Sequence, residues 1–498
     1  MTKIFKTLRA PWLAAIMTYG VTNALVRGLT GLMMLAYAFK LAPEELGVLG
    51  LFLTTVTLVD LLSDLSISPA IIRRFHDHND TPENGRDYLG KVVLTARLLG
   101  LSVLAVVGLA LFVAWNFFSG GLFSIWPYLP LILLSAYASR SSQLFDAIAR
   151  LLERPKDFSA YRIFQAVMLI VLGLLLVFWL ELGLLGAVTA YLGSLLLGMI
   201  YRIITFAGVI PPHVGRLPHD EVGHLLSYGI PLIPRSIAEW GRASALRIAI
   251  AGSVSAAQVG IFFLASSLVS MFGLISISIE MWFNPTYMKL RTKRDSESHN
   301  KLRLIRQLLL AFITPLYIIA ILLMPLMVEL VLPDRYAGAL PLLAPLLLTA
   351  FIQNQLTFQT RQLMFLKRTA TVSVVTVAGA GSSFAFAYFF VGIVGIVGVG
   401  WATAIINLLT VWLCRMVVKM TEENDLSAFG SYFSSVLVAI PAIAYSYLER
   451  LPLMAAAALG SIYTVAACGF VWFVWIKPYL GLIVKSSGKK PANVVQSL

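Results

Sequence analysis

The chain has 498 residues, 59% of them hydrophobic and 12% charged, with a formal net charge of +14. That composition lies outside the range of ordinary globular domains and excludes a large water-soluble core as the organising unit. The bilayer is the expected solvent: hydrocarbon about 30 Å thick needs ~20 helical residues per crossing, and apolar runs of that kind recur from Pro11 to Trp475.

Taken in chain order, spans one to six are predicted near residues 11–39, 47–72, 92–115, 122–149, 159–180 and 183–206. The first carries Asn23 and Arg27 and is followed by no small-residue cleavage site, so it reads as a retained span rather than a secretion signal. Spans seven to twelve follow near 223–251, 255–287, 307–332, 338–361, 369–391 and 394–416, and two more near 430–447 and 452–475. Pro231 and Pro234 remove backbone donors early in span seven and should kink or loosen that helix. The two cysteines, Cys414 and Cys468, both fall in predicted spans and provide neither a disulfide framework nor metal-ligand spacing.

With the N-terminus inside, one set of connections and both tails hold 28 of the 38 Lys and Arg, counting Arg202, Arg361 and Arg415 at span ends. Seven more lie inside spans, and only Lys40, Arg335 and Arg450 fall on the opposite side. The positive-inside rule therefore predicts both termini in the cytoplasm of a multi-pass inner-membrane protein. The basic residues are an orientation signal first, and without a recognition motif they give no ground for a nucleic-acid partner.

The sequence repeats at a spacing near 210 residues. Tyr19-Gly20 recurs as Tyr228-Gly229, and Gly47 as Gly260. Leu151-Leu152-Glu153-Arg154 recurs as Phe365-Leu366-Lys367-Arg368, and Gly183-Leu184-Leu185-Gly186 as Gly395-Ile396-Val397-Gly398. Six spans per unit is an even number, so the halves are expected to share one orientation and to enclose a cleft. The predicted organisation is a lobe at 1–209, a second lobe at 210–420, and two extra spans with a tail at 421–498.

The seven arginines within spans are Arg27, Arg97, Arg140, Arg162, Arg235, Arg242 and Arg247, and no lysine joins them. An arginine at mid-helix costs roughly 2.5–3.5 kcal/mol to insert and normally faces a polar interior. Its planar fork also grips phosphate or carboxylate at two points. Arg27 with Asn23, and Arg235 and Arg242 of span seven, are the candidate substrate-binding residues. Gln353 and Asn354 of span ten are candidates for hydrogen-bonding sugar hydroxyls, or else bonds between helices. Asp60, Asp64, Glu239 and Glu280 are candidate sites for coupling to protons or sodium. Asp146 is expected to pair with Arg150 one turn away, and Arg97 and Arg162 to snorkel to the inner surface.

No Walker sequence, metalloprotease helix or CxxC spacing occurs, so neither an ATP-driven pump nor a metal enzyme gains support, and no cofactor is expected. The predicted outer loops are short, which argues against a polymerase or ligase built on a large periplasmic loop.

Several stretches carry a family resemblance: Val26 to Arg74, with LAPEELGVLGLF and VDLLSDLSISPAIIRR; SYGIPLIPRSIAEW from Ser227 to Trp240; and AAQVGIFFLASSLVSM from Ala256 to Met271. Together they resemble the Wzx-type polysaccharide flippases of the exporter superfamily that also holds the MATE drug exporters and the lipid II flippases. The resemblance implies an all-α polytopic fold of about 14 transmembrane helices: two pseudo-symmetric six-helix lobes in a MATE-like V-shape, plus two C-terminal helices. It implies transport of an undecaprenyl-pyrophosphate-linked oligosaccharide, the repeat unit of O-antigen or exopolysaccharide, with a polysaccharide polymerase and a chain-length regulator as expected partners. Lipid II flipping, small-molecule export and membrane-embedded polymerisation are the alternatives.

Overall fold

A computed structural model describes residues 11–78, 82–118, 125–210, 215–241, 244, 246–293, 295–366 and 368–421. Fourteen α-helices and no strand occur among them. The first seven are α1 (Pro11–Lys40), α2 (Pro43–Asp64), α3 (Ile67–His78), α4 (Pro82–Phe118), α5 (Ile125–Leu151), α6 (Pro155–Gly173) and α7 (Gly183–Phe206). The rest are α8 (His219–Gly229), α9 (Ile233–Trp240), α10 (Leu246–Ala251), α11 (Ala256–Lys293), α12 (Ser296–Val331), α13 (Leu340–Phe365) and α14 (Thr369–Thr421). Eight described helical stretches are long and apolar enough to cross a membrane, and the chain is a multi-pass membrane protein. Predicted spans thirteen and fourteen lie outside the described residues.

Local chemistry sets the helix boundaries. Pro43 opens α2, where a missing N–H costs nothing, and the Glu45 carboxylate accepts the Ala42 backbone N–H at 2.9 Å. The predicted second span breaks after Asp64, where Leu65 and Ser66 adopt φ of 50° and 52°. Pro69 explains the break, because it has no N–H to give the Leu65 carbonyl and is tolerated only in a first turn. In predicted span seven, Pro231 and Pro234 have the expected effect: α8 stops at Gly229, a short 3₁₀ turn covers Ile230–Leu232, and α9 restarts. Asp295 caps α12 by accepting the Ser298 N–H at 2.5 Å. Spans eleven and twelve form the single run α14, broken where Gly395 takes φ 66°.

The described residues form two compact units, one running to Ser267 and including Ser383–Gly392, the other comprising Leu268–Ser382 and continuing from Ile393. In the first, α1 lies along α6 through Thr22 and Ser159, whose hydroxyls are 2.6 Å apart, and through Tyr19 edge-on to Phe158. Ile71, Phe75, Leu89, Phe145, Tyr161 and Phe206 build a core across α3 to α7. The repeat-related Gly47 and Gly260 meet: a Cβ on Gly47 would strike the Ala256 carbonyl oxygen, and one on Gly260 the Pro43 carbonyl oxygen. Only glycine lets α2 and α11 come this close. Outward positions such as Val106, Leu109 and Ile204 are about two-thirds exposed (68%, 65% and 67%), which suits lipid rather than water as their neighbour.

Candidate functional site

The polar groups of the first unit gather in two connected layers. Asp60, on α2, is 4% exposed. Its Oδ2 accepts a hydrogen bond from Ser139 Oγ at 2.8 Å and another from the Gln143 amide nitrogen, both on α5, while Oδ1 has no partner among the described residues. Arg140, 5% exposed, carries its charge near both Asp60 and Asp64. Its guanidinium fills the space that Gly100 of α4 leaves by having no side chain. Asp64 accepts from Ser68 Oγ at 3.0 Å.

One to two turns along α5, Asp146 sits between two arginines. Arg202 of α7, fully buried, holds Oδ1 at 3.2 Å, and Arg162 of α6 lies 3.4 Å from Oδ2. Arg202 also donates to Gln165 Oε1 at 3.0 Å and stacks its guanidinium 4.3 Å from the Tyr161 ring. Beside these groups is a cavity of about 450 Å³, lined by Asp64, Ser139, Ser142, Asp146, Arg150 and Arg162 and also by Ser236 of α9.

The expected pairing of Asp146 with Arg150 is replaced by pairs to Arg162 and Arg202. A desolvated carboxylate needs a partner that is buried with it, and Arg150, one turn nearer the helix end, is exposed. Arg162 accordingly pairs rather than simply snorkelling. Arg202, assigned by sequence to a span end, proves to be a buried anchor. The usable signal was Asp146 itself, since a carboxylate inside an apolar span demands a cation from another helix.

The other predicted residues separate. Asn23 is half-buried and Arg27 exposed on α1, and Arg27 is near enough to Arg162 for the charges to interact. Arg235 and Glu239 lie on α9, which packs on α2. Their side chains lie outside what is described, as do that of Glu280 on α11 and the whole of Arg242. Gln353 and Asn354 belong to α13 of the second unit, where Asn354 Nδ2 donates to the Ala350 carbonyl at 3.1 Å and to Tyr317 Oη at 3.4 Å. Arg247 bridges two helices, donating to Thr54 at 3.2 Å and to Ser266 at 3.3 Å over the Phe263 ring. Among the described residues no His, Cys, Asp and Glu group has the makings of a metal site.

Residues 13–240 match the family described as polysaccharide biosynthesis protein. The curated proteins gave no match. Among solved structures, the chain is similar to a lipid II flippase MurJ in an inward closed conformation, with TM-score 0.69 and 14% identity over 91% of this chain and 98% of that one. It is similar to a multidrug resistance MATE family transporter of the MOP superfamily in an inward-facing conformation, with TM-score 0.63 and 16% identity over 81% and 98%. A MOP superfamily transporter from Pyrococcus furiosus follows at TM-score 0.51 and 17% identity, over 83% and 96%. At these identities the likeness is one of fold alone, and it bears out the all-helical, MATE-like fold expected from the sequence.

Proposed function

We propose that this chain, whose residues 13–240 match the polysaccharide biosynthesis protein family, is a member of the MOP superfamily and flips an undecaprenyl-pyrophosphate-linked oligosaccharide across the bacterial inner membrane. The cargo is an O-antigen or exopolysaccharide repeat unit. The observation that carries this reading is an arginine-bearing polar cavity of about 450 Å³ inside a helical unit whose outer faces are apolar. Such an interior is costly in a bilayer and is retained where a polar substrate crosses. Both termini face the cytoplasm, supported by the 28-to-3 partition of basic residues, and access alternates between the two membrane faces. Arg27, Asn23, Arg235 and Arg242 attract the anionic head, Gln353 and Asn354 contact sugar hydroxyls, and the lipid tail stays in the bilayer.

Among the acidic candidates for proton or sodium coupling, Asp60 has the most fitting surroundings. It is buried, two donors hold one of its oxygens, and the other is left open. Asp60→Asn should keep the fold and uncouple flipping from an imposed pH or sodium gradient in vesicles. Equal gradient dependence in both proteins removes Asp60 from this role.

Deletion of the gene followed by analysis of lipid-linked intermediates tests the cargo. Undecaprenyl oligosaccharide should accumulate on the inner face. Lysis with accumulated lipid II assigns the protein to cell-wall synthesis, drug sensitivity alone assigns it to small-molecule export, and covalent extension of the sugar in vitro makes it an enzyme. Arg27→Ala and Arg235→Ala, at normal membrane levels, should each abolish surface polysaccharide, with Arg→Lys partly active. Full activity in both alanine variants sinks the cationic-interior reading.

A further inference from the structure

Helix α13 of the second unit carries buried amides that its surroundings leave unsatisfied. Gln355, Gln359 and Gln362 follow one another at spacings of four and three residues, which puts them on one face of the helix. All three are buried. Neither the nitrogen nor the oxygen of the Gln359 and Gln362 amides has a hydrogen-bond partner among the described residues. These two are one turn apart, within reach of each other, and still make no bond. Other polar groups of the same helix are spent. Thr349, Thr357 and Thr360 donate to the carbonyls of Pro345, Gln353 and Thr357 at 2.8, 3.0 and 3.0 Å. Next to Gln359, the Phe358 ring lies 5.6 Å from Phe283 and 6.0 Å from Tyr287 of α11, and Arg306 of α12 lies 4.2 Å over its face.

An amide buried without a partner is costly anywhere, and more so in a helix that is long and apolar enough to cross a bilayer, where lipid cannot satisfy it. Leucine has a similar reach and would be buried there without that cost. Dry packing of α13 therefore does not account for glutamine at 359 and 362. Unsatisfied groups of this kind are few in native structures and mark places where something other than stability is served. In a two-state protein the amides would raise the free energy of the dry arrangement and lower that of a hydrated one, which shifts the balance toward opening. Being neutral, they do so without drawing ions into the helix contact.

We propose that Gln359 and Gln362 form a hydration switch: α13 packs dry in the arrangement described here and parts from its neighbours in a second one, where water bonds both amides. The switch rests on the export reading for the use made of that second arrangement, since alternating access requires one, and not for its existence. The test compares the full chain with Gln359→Leu and Gln362→Leu. Each variant should raise the melting temperature in detergent by about 1–3 °C, because an unsatisfied amide is replaced by an apolar group. Each should also slow flipping of lipid-linked sugar in vesicles by about threefold or more, because the hydrated arrangement loses its hydrogen bonds. Opening is read directly with Gln359→Cys in a chain also carrying Cys414→Ala and Cys468→Ala. A water-soluble maleimide should label this cysteine, and adding Gln362→Leu should slow the labelling by about tenfold, the upper scale of one amide's hydrogen bonding.

Higher melting temperatures with slower flipping support the switch. Lower melting temperatures in both leucine variants overturn it, because the amides are then satisfied in the resting packing. Leucine variants that melt higher and flip at the wild-type rate also overturn it and leave the export reading intact. A cysteine at 359 that is never labelled, or is labelled equally fast with Gln362→Leu, overturns it as well. Labelling that depends on Gln362 in a protein that moves no lipid-linked sugar supports the switch and removes the export reading.

Discussion

Two helices at corresponding positions of the repeat expected from the sequence, α5 and α13, reach a polar interior by opposite routes. The Leu151/Phe365 landmark sets their offset at 214 residues, the difference of those two numbers. At that offset Ser139, Arg140, Asp146 and Arg150 correspond to Gln353, Asn354, Thr360 and Met364. Helix α5 buries charge and must find compensating charge on neighbours, as Asp146 does in Arg162 and Arg202. Helix α13 buries neutral amides: Gln355, Gln359 and Gln362 are 0%, 0% and 1% exposed. Among the described residues its unit also buries two cations, Arg291 and Arg306, which lie 5.5 Å over the Phe365 ring and 4.2 Å over the Phe358 ring. A charged interior can attract an ion and hold it electrostatically, whereas an amide interior offers hydrogen bonds and little net field.

The contrast is most easily broken at its buried charges. Arg202→Ala should destabilise the protein by about 3–5 kcal/mol, the usual cost of leaving one member of a buried pair uncompensated. At the 212-residue offset of Gly183 and Gly395, the position corresponding to Arg202 is Cys414. Cys414→Ala should cost under about 1.5 kcal/mol, as a small change of buried volume does. Equal losses in the two variants, read from thermal unfolding in detergent, would remove the distinction between a charged and a neutral interior.

Where the repeats agree, the effect should be intermediate. Gly47→Ala or Gly260→Ala places a methyl group against a backbone carbonyl across the helix contact and should cost about 1–3 kcal/mol, the range of overpacking. Gly28 has no atom within 4 Å of where its Cβ would be. Gly28→Ala should therefore be neutral or stabilising by up to about 1 kcal/mol through helix propensity. If the three substitutions behave alike, the close approach of α2 and α11 is not a real constraint.

The smallest effect belongs to the surface. Lys40 and Glu181 pair at 2.5 Å, and the ammonium holds the Glu181 carboxyl below its ordinary range. Both side chains are exposed, so solvent and salt screen the pair. A carboxyl depressed in the folded state stabilises above its unfolded pKa and loses that contribution as pH falls through the folded value. Lys40→Ala should leave thermal unfolding at neutral pH nearly unchanged and remove only this shallow acid-side dependence.

Much of the architecture was legible in the sequence because its causes are local. Apolar runs mark the spans, missing N–H groups at Pro231 and Pro234 break the seventh, and Gly395, a repeat landmark, falls where α14 breaks. The charge count set an expected orientation without any knowledge of packing. Even the meeting of Gly47 and Gly260 had a trace in the repeat, although nothing in one dimension said that they touch.

The site was only partly legible. The spacing of Asp146 and Arg150 satisfied the one-helix rule for an ion pair, yet the partners chosen were Arg162 and Arg202, the latter 56 residues away. Asp60 likewise found Ser139 and Gln143, which lie 79 and 83 residues further on. A sequence determines which residues share the face of one helix, because a 3.6-residue turn fixes that spacing. How neighbouring helices rotate and slide against each other is set by contacts along their whole lengths, and only that tertiary register decided which buried carboxylate met which guanidinium.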